Sequence, residues 1–329
     1  MHKILVTGVG GGVGQSILKS LQGTEYQAVG VDSDPLAAGL YAAPVAYQGR
    51  EAREAGFIDR LLEICRAESC ALLLPGLDVE LPPLAEQQER FRAEGVVPVV
   101  SNPEVVELCD DKLATYEFLR RHGFAAPYTC RLRDADELDY PVVLKPQRGG
   151  ARSRRTFVVR TPDEFEVYQR LVDRDNCVVQ EYLPGDEYTC GSIAFEGRCR
   201  GVIAMRRVLR DGDTYKAFVE RNPLIESAVR DVLEALQPFG ACNVQLRLKD
   251  GLPHVFEINA RCSGTTAARA LAGFNEPKMI ADYLLRHIEP SYTVREITIL
   301  RYWQELVVSN ERIEQLAQQS RLVGDGGQL

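Results

Sequence analysis

The sequence lacks the residue patterns of a zinc-binding or disulfide-bridged protein. Its 329 residues include nine cysteines, which is an odd number, and no two of them have Cys-x-x-Cys spacing. Only four histidines are available as metal co-ligands. Structural zinc sites and disulfide frameworks are normally built from such pairs. The cysteines are therefore predicted to be small apolar side chains of the core, in a reducing compartment.

Long apolar runs and an excess of positive charge are also missing. No window approaches the roughly 18 apolar residues of a membrane-spanning helix. The first apolar run breaks at Gly8, too early for a secretory signal. Lys and Arg number 39 against 47 Asp and Glu, so the formal net charge is -8. This balance disfavours nucleic acids and anionic membranes as partners. We expect a soluble, cytoplasmic protein.

The first hundred residues alternate short apolar runs with helical patterns, which predicts βαβ units and a parallel sheet. The candidate strands are 4–7, 28–31, 71–74 and 96–99. The candidate helices are 13–21, 57–67 and 84–94, followed by one long helical segment at 101–124. From about residue 125 the pattern changes to antiparallel hairpins, with turns at 196–197, 211–213 and 250–251. The expected class is α/β followed by α+β.

A glycine cluster follows the first strand candidate, in the stretch "ILVTGVGGGVGQSIL". Its Thr7, Gly8, Gly12 and Gly14 have the spacing of short-chain dehydrogenases, and Asp32 ends the next strand, where a ribose-binding acid is expected. A tight strand-to-helix turn also needs glycine, whatever binds there. None of the thirteen tyrosines has the lysine four positions later that dehydrogenase chemistry requires. An NAD(P)-dependent oxidoreductase or epimerase therefore stays as an alternative that rests on the first 35 residues only.

Three oxygen-bearing side chains are expected to converge in "NVQLRLKDGLPHVFEINAR". Glu257 and Asn259 are two residues apart on one strand, so they share a face. The Asp-Gly turn brings Gln245 alongside them, and Arg261 follows two positions later. Mg²⁺ is commonly held by one or two carboxylates together with phosphate oxygens. The set suits one or two Mg²⁺ ions that hold a triphosphate, and a polar, solvent-facing strand surface is the alternative.

Phosphate-binding candidates precede this strand pair. Lys145 ends the strand "VVLKP" and is followed by the glycine- and arginine-rich loop "QRGGARSRR", which can close over phosphates. The segment "QEYLPGDEY" can present backbone groups to an adenine edge, and its Glu187 can accept hydrogen bonds from ribose hydroxyls. Lys112 adds a second cation on the helical segment that enters this region.

In this order the motifs resemble the ATP-grasp superfamily, and within it one half of the carbamoyl phosphate synthase large subunit, over residues 1–290. The most specific part runs from "GACNVQLRLKDG" through "FEINARCSGTT". The resemblance implies a Rossmann-like pre-ATP-grasp domain, which binds no dinucleotide and helps to form the acceptor cleft, followed by a two-lobed ATP-grasp fold. The implied divisions are the pre-ATP-grasp domain at 1–108, a small lobe with the lid loop at 109–179, a large lobe with the metal site at 180–291, and a C-terminal strand and tail at 292–329.

The resemblance also implies a role for each matching residue. Gln245, Glu257 and Asn259 match the magnesium ligands, and Arg261 resembles the arginine that steadies the acyl-phosphate. Arg206 or Arg207, together with Lys216, resembles the basic pair that reaches the γ-phosphate. The implied nucleotide-binding residues are the cations Lys112 and Lys145, the lid glycines Gly149 and Gly150, the hinge residues Glu181 and Leu183, and the ribose acid Glu187.

The resemblance implies an ATP-dependent ligase that joins a small-molecule carboxylate to an amine, or to another nucleophile, through an acyl-phosphate. ATP and Mg²⁺ are the implied cofactors, with Mn²⁺ as an alternative ion. Arg148, Arg152, Arg154 and Arg155 make the lid loop unusually basic, and only one ATP-grasp unit is present, so carbamoyl phosphate synthesis is not expected. A non-catalytic nucleotide-binding protein is a further alternative.

The sequence allows two interpretations for a pair of acids and for one edge segment. Asp78 and Glu80 follow the third strand candidate, where the family places the acceptor cleft, although an acid that caps the next helix would occur there too. The segment 297–308 is predicted to be an edge strand. It either pairs with a second subunit, which would make a homodimer, or covers the sheet.

Overall fold

The computed structural model describes residues 2–150 and 155–324. The first part of the chain alternates strands and helices, as the apolar pattern predicts. Its elements are β1 (Lys3–Thr7), α1 (Gly12–Leu21), β2 (Gln27–Asp32), α2 (Ala38–Ala42), β3 (Val45–Gln48), α3 (Phe57–Glu68), β4 (Cys70–Leu74), α4 (Leu81–Glu86), α5 (Gln88–Ala93), β5 (Val97–Pro98), α6 (Pro103–Asp110) and α7 (Lys112–Arg121).

The N-terminal sheet has the order β16-β3-β2-β1-β4-β5, in which β16 (Arg321–Val323) comes from the C-terminal end of the described chain. Strands β1 to β5 are parallel to one another. The last four residues of β1 are buried, because helices cover both faces of a parallel sheet and both must therefore be apolar. The ligand-binding edge of such a sheet is the one where its strands end.

The two long helical segments predicted at 84–94 and 101–124 are each split in two. Gln87 interrupts the first, between α4 and α5. In the second, Asp111 leaves the helical conformation and its carboxylate accepts hydrogen bonds from the backbone N–H groups of Leu113 and Ala114. Asp is a strong helix N-cap, so it starts a new helix at Lys112. The break places Lys112 at a helix N-terminus.

The middle of the chain forms a small antiparallel sheet. Its elements are β6 (Thr129–Arg131), β7 (Val142–Pro146), β8 (Phe157–Val159), α8 (Pro162–Tyr168) and β9 (Cys177–Glu181). The strand order is β6-β9-β7-β8. Thr161 caps α8 by accepting a hydrogen bond from the backbone N–H of Glu164. The loop between β7 and β8 contains the predicted lid.

A larger antiparallel sheet forms the remainder of the molecule. Its elements are β10 (Glu187–Phe195), β11 (Arg198–Arg210), β12 (Asp213–Glu220), α9 (Pro223–Leu236), β13 (Gly240–Lys249), β14 (Leu252–Asn259), α10 (Thr266–Leu271), α11 (Glu276–Arg286) and β15 (Thr298–Leu300). The strand order is β14-β13-β10-β11-β12-β15. Helix α9 packs its apolar side against one face of this sheet. The other face turns toward α11 and the N-terminal domain.

The chain returns to the N-terminal sheet at its end. Only residues 298–300 of the predicted edge strand pair in the large sheet, alongside β12. The last elements are α12 (Asn310–Gln319) and β16 (Arg321–Val323). Strand β16 pairs antiparallel with β3. Tyr302 and Trp303, which follow β15, are 82% and 92% exposed, and the homodimer stays a prediction. Among residues 2–150 and 155–324, no helix is both long and apolar enough to cross a bilayer.

Glycines in the N-terminal domain allow backbone segments to pack against one another. A Cβ on Gly14 would overlap the Gly8 carbonyl oxygen, and one on Gly76 would overlap the Thr7 carbonyl oxygen. Leu77 covers the turn itself, since its Cγ would lie 2.5 Å from a Cβ on Gly8 and its Cδ2 3.3 Å from one on Gly11. The glycines therefore serve close packing in this fold.

Replacing Gly76 with alanine is expected to lower the free energy of unfolding by at least about 1–3 kcal/mol, the range for overpacking a filled site. The new Cβ would meet a backbone oxygen, which cannot rotate away. Gly264→Ala is the matched control, because the nearest atom to its added Cβ is 3.9 Å away. It should change stability by less than about 0.5 kcal/mol. Urea unfolding measures both variants, and equal losses would contradict the packing role.

Candidate active site

Gln245, Glu257 and Asn259 lie together on one face of the large sheet. In the antiparallel pair β13–β14, Gln245 stands opposite Glu257, and Asn243 stands opposite Asn259. The turn between the strands has positive φ at Asp250 and Gly251, which is typical of a tight hairpin. The face that the sequence predicts is therefore formed.

The single carboxylate is the centre of this group. Glu257 Oε1 accepts hydrogen bonds from Asn259 Nδ2 at 3.1 Å and from Gln245 Nε2 at 3.4 Å. Among residues 2–150 and 155–324, no side chain or backbone group donates to its Oε2. The amide oxygens accept from arginines instead, Gln245 Oε1 from Arg207 at 2.7 Å and Asn259 Oδ1 from Arg261 at 3.2 Å.

This donor set fits a hard divalent cation bound jointly with phosphates. Mg²⁺ needs only one or two protein carboxylates when a substrate phosphate supplies further oxygens. No group of three His, Cys, Asp or Glu residues suited to a metal occurs in the described part of the chain. An ion at this face would therefore depend on Glu257, with the two amides as neutral neighbours.

Positive charge surrounds Glu257. Burial raises the pKa of this carboxyl, but the charges of Lys112, Lys145 and Arg207 outweigh burial and hold the pKa below its ordinary value. Glu257 is consequently ionised at neutral pH. An anion-rich ligand such as a triphosphate would be attracted here by several cations, of which Arg207 is also paired with Glu187.

Lys145 is the most deeply placed of these cations. Its side chain is buried, its Nζ donates to Gln180 Oε1 at 2.8 Å, and the same atom lies 5.5 Å from the centre of the Phe256 ring. Burial lowers the pKa of the Lys145 ammonium to about 8. The charge is present below that pH and is lost as the pH rises through it.

Binding of ATP is expected to be coupled to proton uptake near pH 8. Lys145 is then about half protonated, because its pKa is about 8, and phosphate charge would hold it protonated. Uptake should approach half a proton, and affinity should fall between pH 7 and 9. Calorimetry in buffers of different ionisation enthalpy measures the uptake. Lys145→Arg, which stays charged, should remove it. Unchanged uptake in that variant would assign the proton to another group.

The described part of the predicted lid loop contacts the junction of α6 and α7. Lys112 Nζ donates to the Gly149 carbonyl oxygen at 2.9 Å, and the Gly149 N–H donates to Asp110 Oδ1 at 3.2 Å. Gly149 and Gly150 both have positive φ, a conformation that glycine adopts without strain. Arg152 and Arg154 lie outside the described residues. Lys112 is thus connected to the loop that would cover a nucleotide.

The hinge residues are held by basic side chains of β13. Glu181 pairs with Lys249, and the Leu183 carbonyl oxygen accepts from Arg247 at 3.0 Å. Glu187, the predicted ribose acid, accepts from Arg247 at 2.7 Å and also from Arg207. It is therefore paired with two arginines, and its role toward ribose stays a prediction.

Only one of the two adjacent arginines joins the cluster. Arg207 Nε donates to Glu187 Oε1 at 2.8 Å, and another nitrogen of Arg207 donates to Gln245. Arg206 points to the opposite face, where it donates to Glu220 at 2.8 Å. Lys216 is exposed on that opposite face too. Neighbouring strand residues point to opposite faces, so the structure brings in Arg207 and leaves out Arg206 and Lys216.

Arg261 connects the large sheet to the N-terminal domain. Its guanidinium binds both carboxylate oxygens of Asp78 at 2.7 Å, in a bidentate pair that spans 183 residues of sequence. Burial raises the pKa of Asp78, but the Arg261 charge outweighs burial and lowers the pKa. The same guanidinium donates to Asn259. The ligand-binding edge of the N-terminal sheet therefore lies beside the predicted metal face.

Arg247 belongs to this site although the sequence analysis does not name it. Asn243, Gln245 and Arg247 follow one another at a spacing of two residues on β13, so they share the face that carries Glu257. The same alternation that selects Gln245 contains the signal for Arg247. Arg247 was missed because alternation gives only the face of the sheet on which an arginine lies and does not indicate whether that arginine is functional.

Comparison with known proteins assigns the fold. Residues 173–306 match a family model described as "ATP-grasp in the biosynthetic pathway with Ter operon", and residues 4–100 match the "PylC-like, N-terminal domain". The fold is thus a PylC-like N-terminal domain followed by an ATP-grasp domain. This agrees with the resemblance inferred from the strand-pair motif and from the lysines and lid loop that precede it.

The similar proteins are ATP-grasp ligases. The D-alanine–D-alanine ligase of Bacillus anthracis is 26% identical over 217 residues, which cover 57% of this chain and 69% of that protein. The carbamoyl phosphate synthase large chain of Thermotoga neapolitana is 22% identical, over 62% of this chain and 22% of that one. The structure of N5-carboxyaminoimidazole synthetase from Staphylococcus aureus complexed with ADP superposes with a TM-score of 0.68, at 14% identity, over 97% and 96% of the two chains.

Proposed function

We propose that this ATP-grasp protein is a ligase that uses ATP to join a small-molecule carboxylate to an amine. The observation that carries the proposal is the face formed by Gln245, Glu257 and Asn259. There a single ionised carboxylate lies among Lys112, Lys145 and Arg207. A structural, solvent-facing surface would not need a buried lysine whose pKa is lowered.

The proposed reaction has two steps. A carboxylate oxygen of the substrate attacks the γ-phosphorus of ATP, the bond to the β,γ-bridging oxygen breaks, and acyl-phosphate and ADP form. The amine then attacks the acyl carbon, phosphate leaves with the bonding electrons, and the nitrogen loses a proton to give the amide. Neither step needs a nucleophile from the protein.

The protein's contribution is positioning and charge. Lys145 and Lys112 offset the charge of the phosphates, and Arg207 and Arg261 face the groups on which negative charge increases. Mg²⁺ bound at Glu257 would act as a Lewis acid on phosphate oxygens, and Mn²⁺ is an alternative ion. The loop at Gly149 and Gly150, closed over the site, would keep water from the acyl-phosphate.

ATP-dependent phosphate release tests the proposal. The purified protein is incubated with ATP, Mg²⁺ and pairs drawn from panels of carboxylates and amines, and each reaction is examined by mass spectrometry. One ADP and one phosphate per amide formed is the expected result. Nucleotide binding without turnover on any pair would favour the non-catalytic alternative.

A thermal shift assay separates the ligase from the oxidoreductase alternative. ATP with Mg²⁺ should raise the melting temperature, whereas NADH should not, because Leu77 packs on Gly8 and Gly11 where a pyrophosphate would approach the turn. Stabilisation by NADH alone would reverse this assignment.

A further inference from the structure

A completely buried arginine, Arg269 of α10, lies beside the proposed metal face. Arginine is almost never buried in full unless it is paired. Gly191 on β10, Asn243 on β13 and Asn259 on β14 stand opposite one another, so this row of residues points to the face that carries the metal ligands. A Cβ on Gly191 would overlap the guanidinium of Arg269. The missing side chain at Gly191 therefore leaves room for Arg269 on that face.

All three nitrogens of the Arg269 guanidinium donate to side-chain oxygens. The acceptors are Asn243 Oδ1 (3.2 Å), Thr265 Oγ1 (2.7 Å), Ser263 Oγ (3.0 Å), Thr266 Oγ1 (3.0 Å) and Glu276 Oε2 (3.0 Å). A guanidinium is planar and its donors have a fixed geometry. Groups that bind it are therefore held at fixed positions relative to one another, and here they come from β13, from the segment before α10 and from α11.

The segment that Arg269 holds follows directly on two residues of the proposed site. Asn259 ends β14, and Arg261 lies between it and Ser263. The Arg261 N–H donates to the Asn259 carbonyl oxygen at 2.8 Å, and the Arg261 guanidinium donates to the Cys262 carbonyl oxygen at 2.9 Å. The position of residues 263–266 therefore determines where Asn259 and Arg261 lie relative to β13.

Glu276 balances the charge of Arg269. Both side chains are fully buried, and Arg269 Nη2 lies 2.7 Å from Glu276 Oε1. Removing two charges from water is costly, and apolar side chains of similar volume are often equally or more stabilising. Stability alone is thus a weak reason for this pair. What the pair supplies that apolar side chains cannot is a set of directed hydrogen bonds to Asn243 and to the turn at 263–266.

We propose that Arg269 is a positioning residue of the metal face. It ties Asn243 to the turn at 263–266, and so fixes Asn259 and Arg261 where they would face Mg²⁺ and the reacting phosphate. The proposal rests on the proposed ligase function, because it assigns a residue to that site. Arg269 is fully buried, so it acts only through the residues that it holds. Groups that orient metal ligands in this way typically contribute about 10–100-fold in metal affinity or activity.

Calorimetric titration of ADP, with Mg²⁺ in one series and with EDTA in the other, tests the proposal. The ratio of the two affinities measures what the metal adds to nucleotide binding. In Arg269→Lys this ratio should fall about tenfold, or to one if the wild-type ratio is smaller, because lysine keeps the charge beside Glu276 but cannot hold the turn. The affinity in EDTA should stay close to that of wild type, since Lys112 and Lys145 would bind phosphate without the metal.

Ser263→Ala decides the test if Arg269→Lys does not fold. It removes one acceptor of Arg269 and leaves the ion pair with Glu276 in place. The ratio should fall in this variant too, by a smaller factor. Glu68→Gln is the matched control, because Glu68 is also a buried, paired acid, bound to Lys3 and Arg321 at the opposite end of the N-terminal sheet. It should lower the melting temperature and leave the ratio unchanged.

An unchanged ratio in the deciding variant would overturn the positioning role. An equal fall in Glu68→Gln would overturn it too, because loss of stability alone would then explain the result. Amide formation by wild type is the separate readout. If wild type shows a ratio above one but forms no amide from any pair of substrates, the ligase function fails and the ratio still decides the role of Arg269. A wild-type ratio of one would contradict the metal face, and the positioning role with it.

Discussion

Glu257→Ala is expected to abolish ATP turnover while the protein stays folded. Glu257 supplies the single carboxylate of the proposed metal face formed with Gln245 and Asn259. Among the described residues, none donates a hydrogen bond to its Oε2, so the substitution removes few contacts that stabilise the fold. Without it, Lys112, Lys145 and Arg207 would still attract a triphosphate, so nucleotide affinity should fall less than turnover. ADP release and near-ultraviolet circular dichroism measure the two outcomes.

Glu220→Ala is the matched control for this variant. Glu220 also lies on a strand of the large sheet and pairs with an arginine, Arg206, but on the opposite face. It should leave turnover close to that of wild type, because Glu220 faces away from the proposed site and its loss removes only a partly exposed ion pair. Near-normal ADP production by Glu257→Ala, or an equal loss in both variants, would contradict the proposed site.

Arg261→Ala is expected to lower the rate by roughly 10²–10³, the scale for removing one donor that faces developing negative charge. The residue also forms the bidentate pair with Asp78, so part of the effect could be structural. Asp78→Asn separates the two contributions, because it weakens the bridge and keeps Arg261. That variant should lose less than tenfold in rate. Steady-state kinetics and thermal unfolding of both variants provide the comparison.

Arg261→Lys refines the same test. Lysine keeps the positive charge but lacks the planar fork that binds both Asp78 oxygens. An intermediate rate is expected. If Arg261→Ala and Asp78→Asn were to lose stability and rate by the same amounts, the arginine would be a structural bridge between domains and not a catalytic residue.

Much of the fold could be predicted from local patterns. Apolar runs broken by glycine predict β1, β2 and β4, and these strands form the centre of the N-terminal sheet. The capping residues Thr161 and Asn222, each followed by a proline, start helices α8 and α9. The predicted uninterrupted helices at 84–94 and 101–124 were wrong. In each, the backbone conformation of one residue, Gln87 or Asp111, ends the helix and starts another. Asp111 can continue a helix or cap a new one, and its contacts decide between these states.

The C-terminal segment could not be placed from the sequence. Strand β16 has three residues, and it pairs with β3 only because α12 packs Leu316 into the N-terminal core. A three-residue strand has no recognisable periodicity. Its position depends on contacts with residues more than 270 positions earlier in the chain, such as the bond from Arg321 Nε to the Tyr47 hydroxyl.

The candidate site was also predictable only in part from the sequence. Alternation along two strands joined by a tight turn was enough to bring Gln245, Glu257 and Asn259 to one face, since side-chain direction in a hairpin follows from residue spacing. Only the tertiary structure distinguished Arg207 from Arg206 and identified Asp78 as the partner of Arg261. Each depends on strand register or on chain segments that are distant in sequence, and residue spacing contains no information about either.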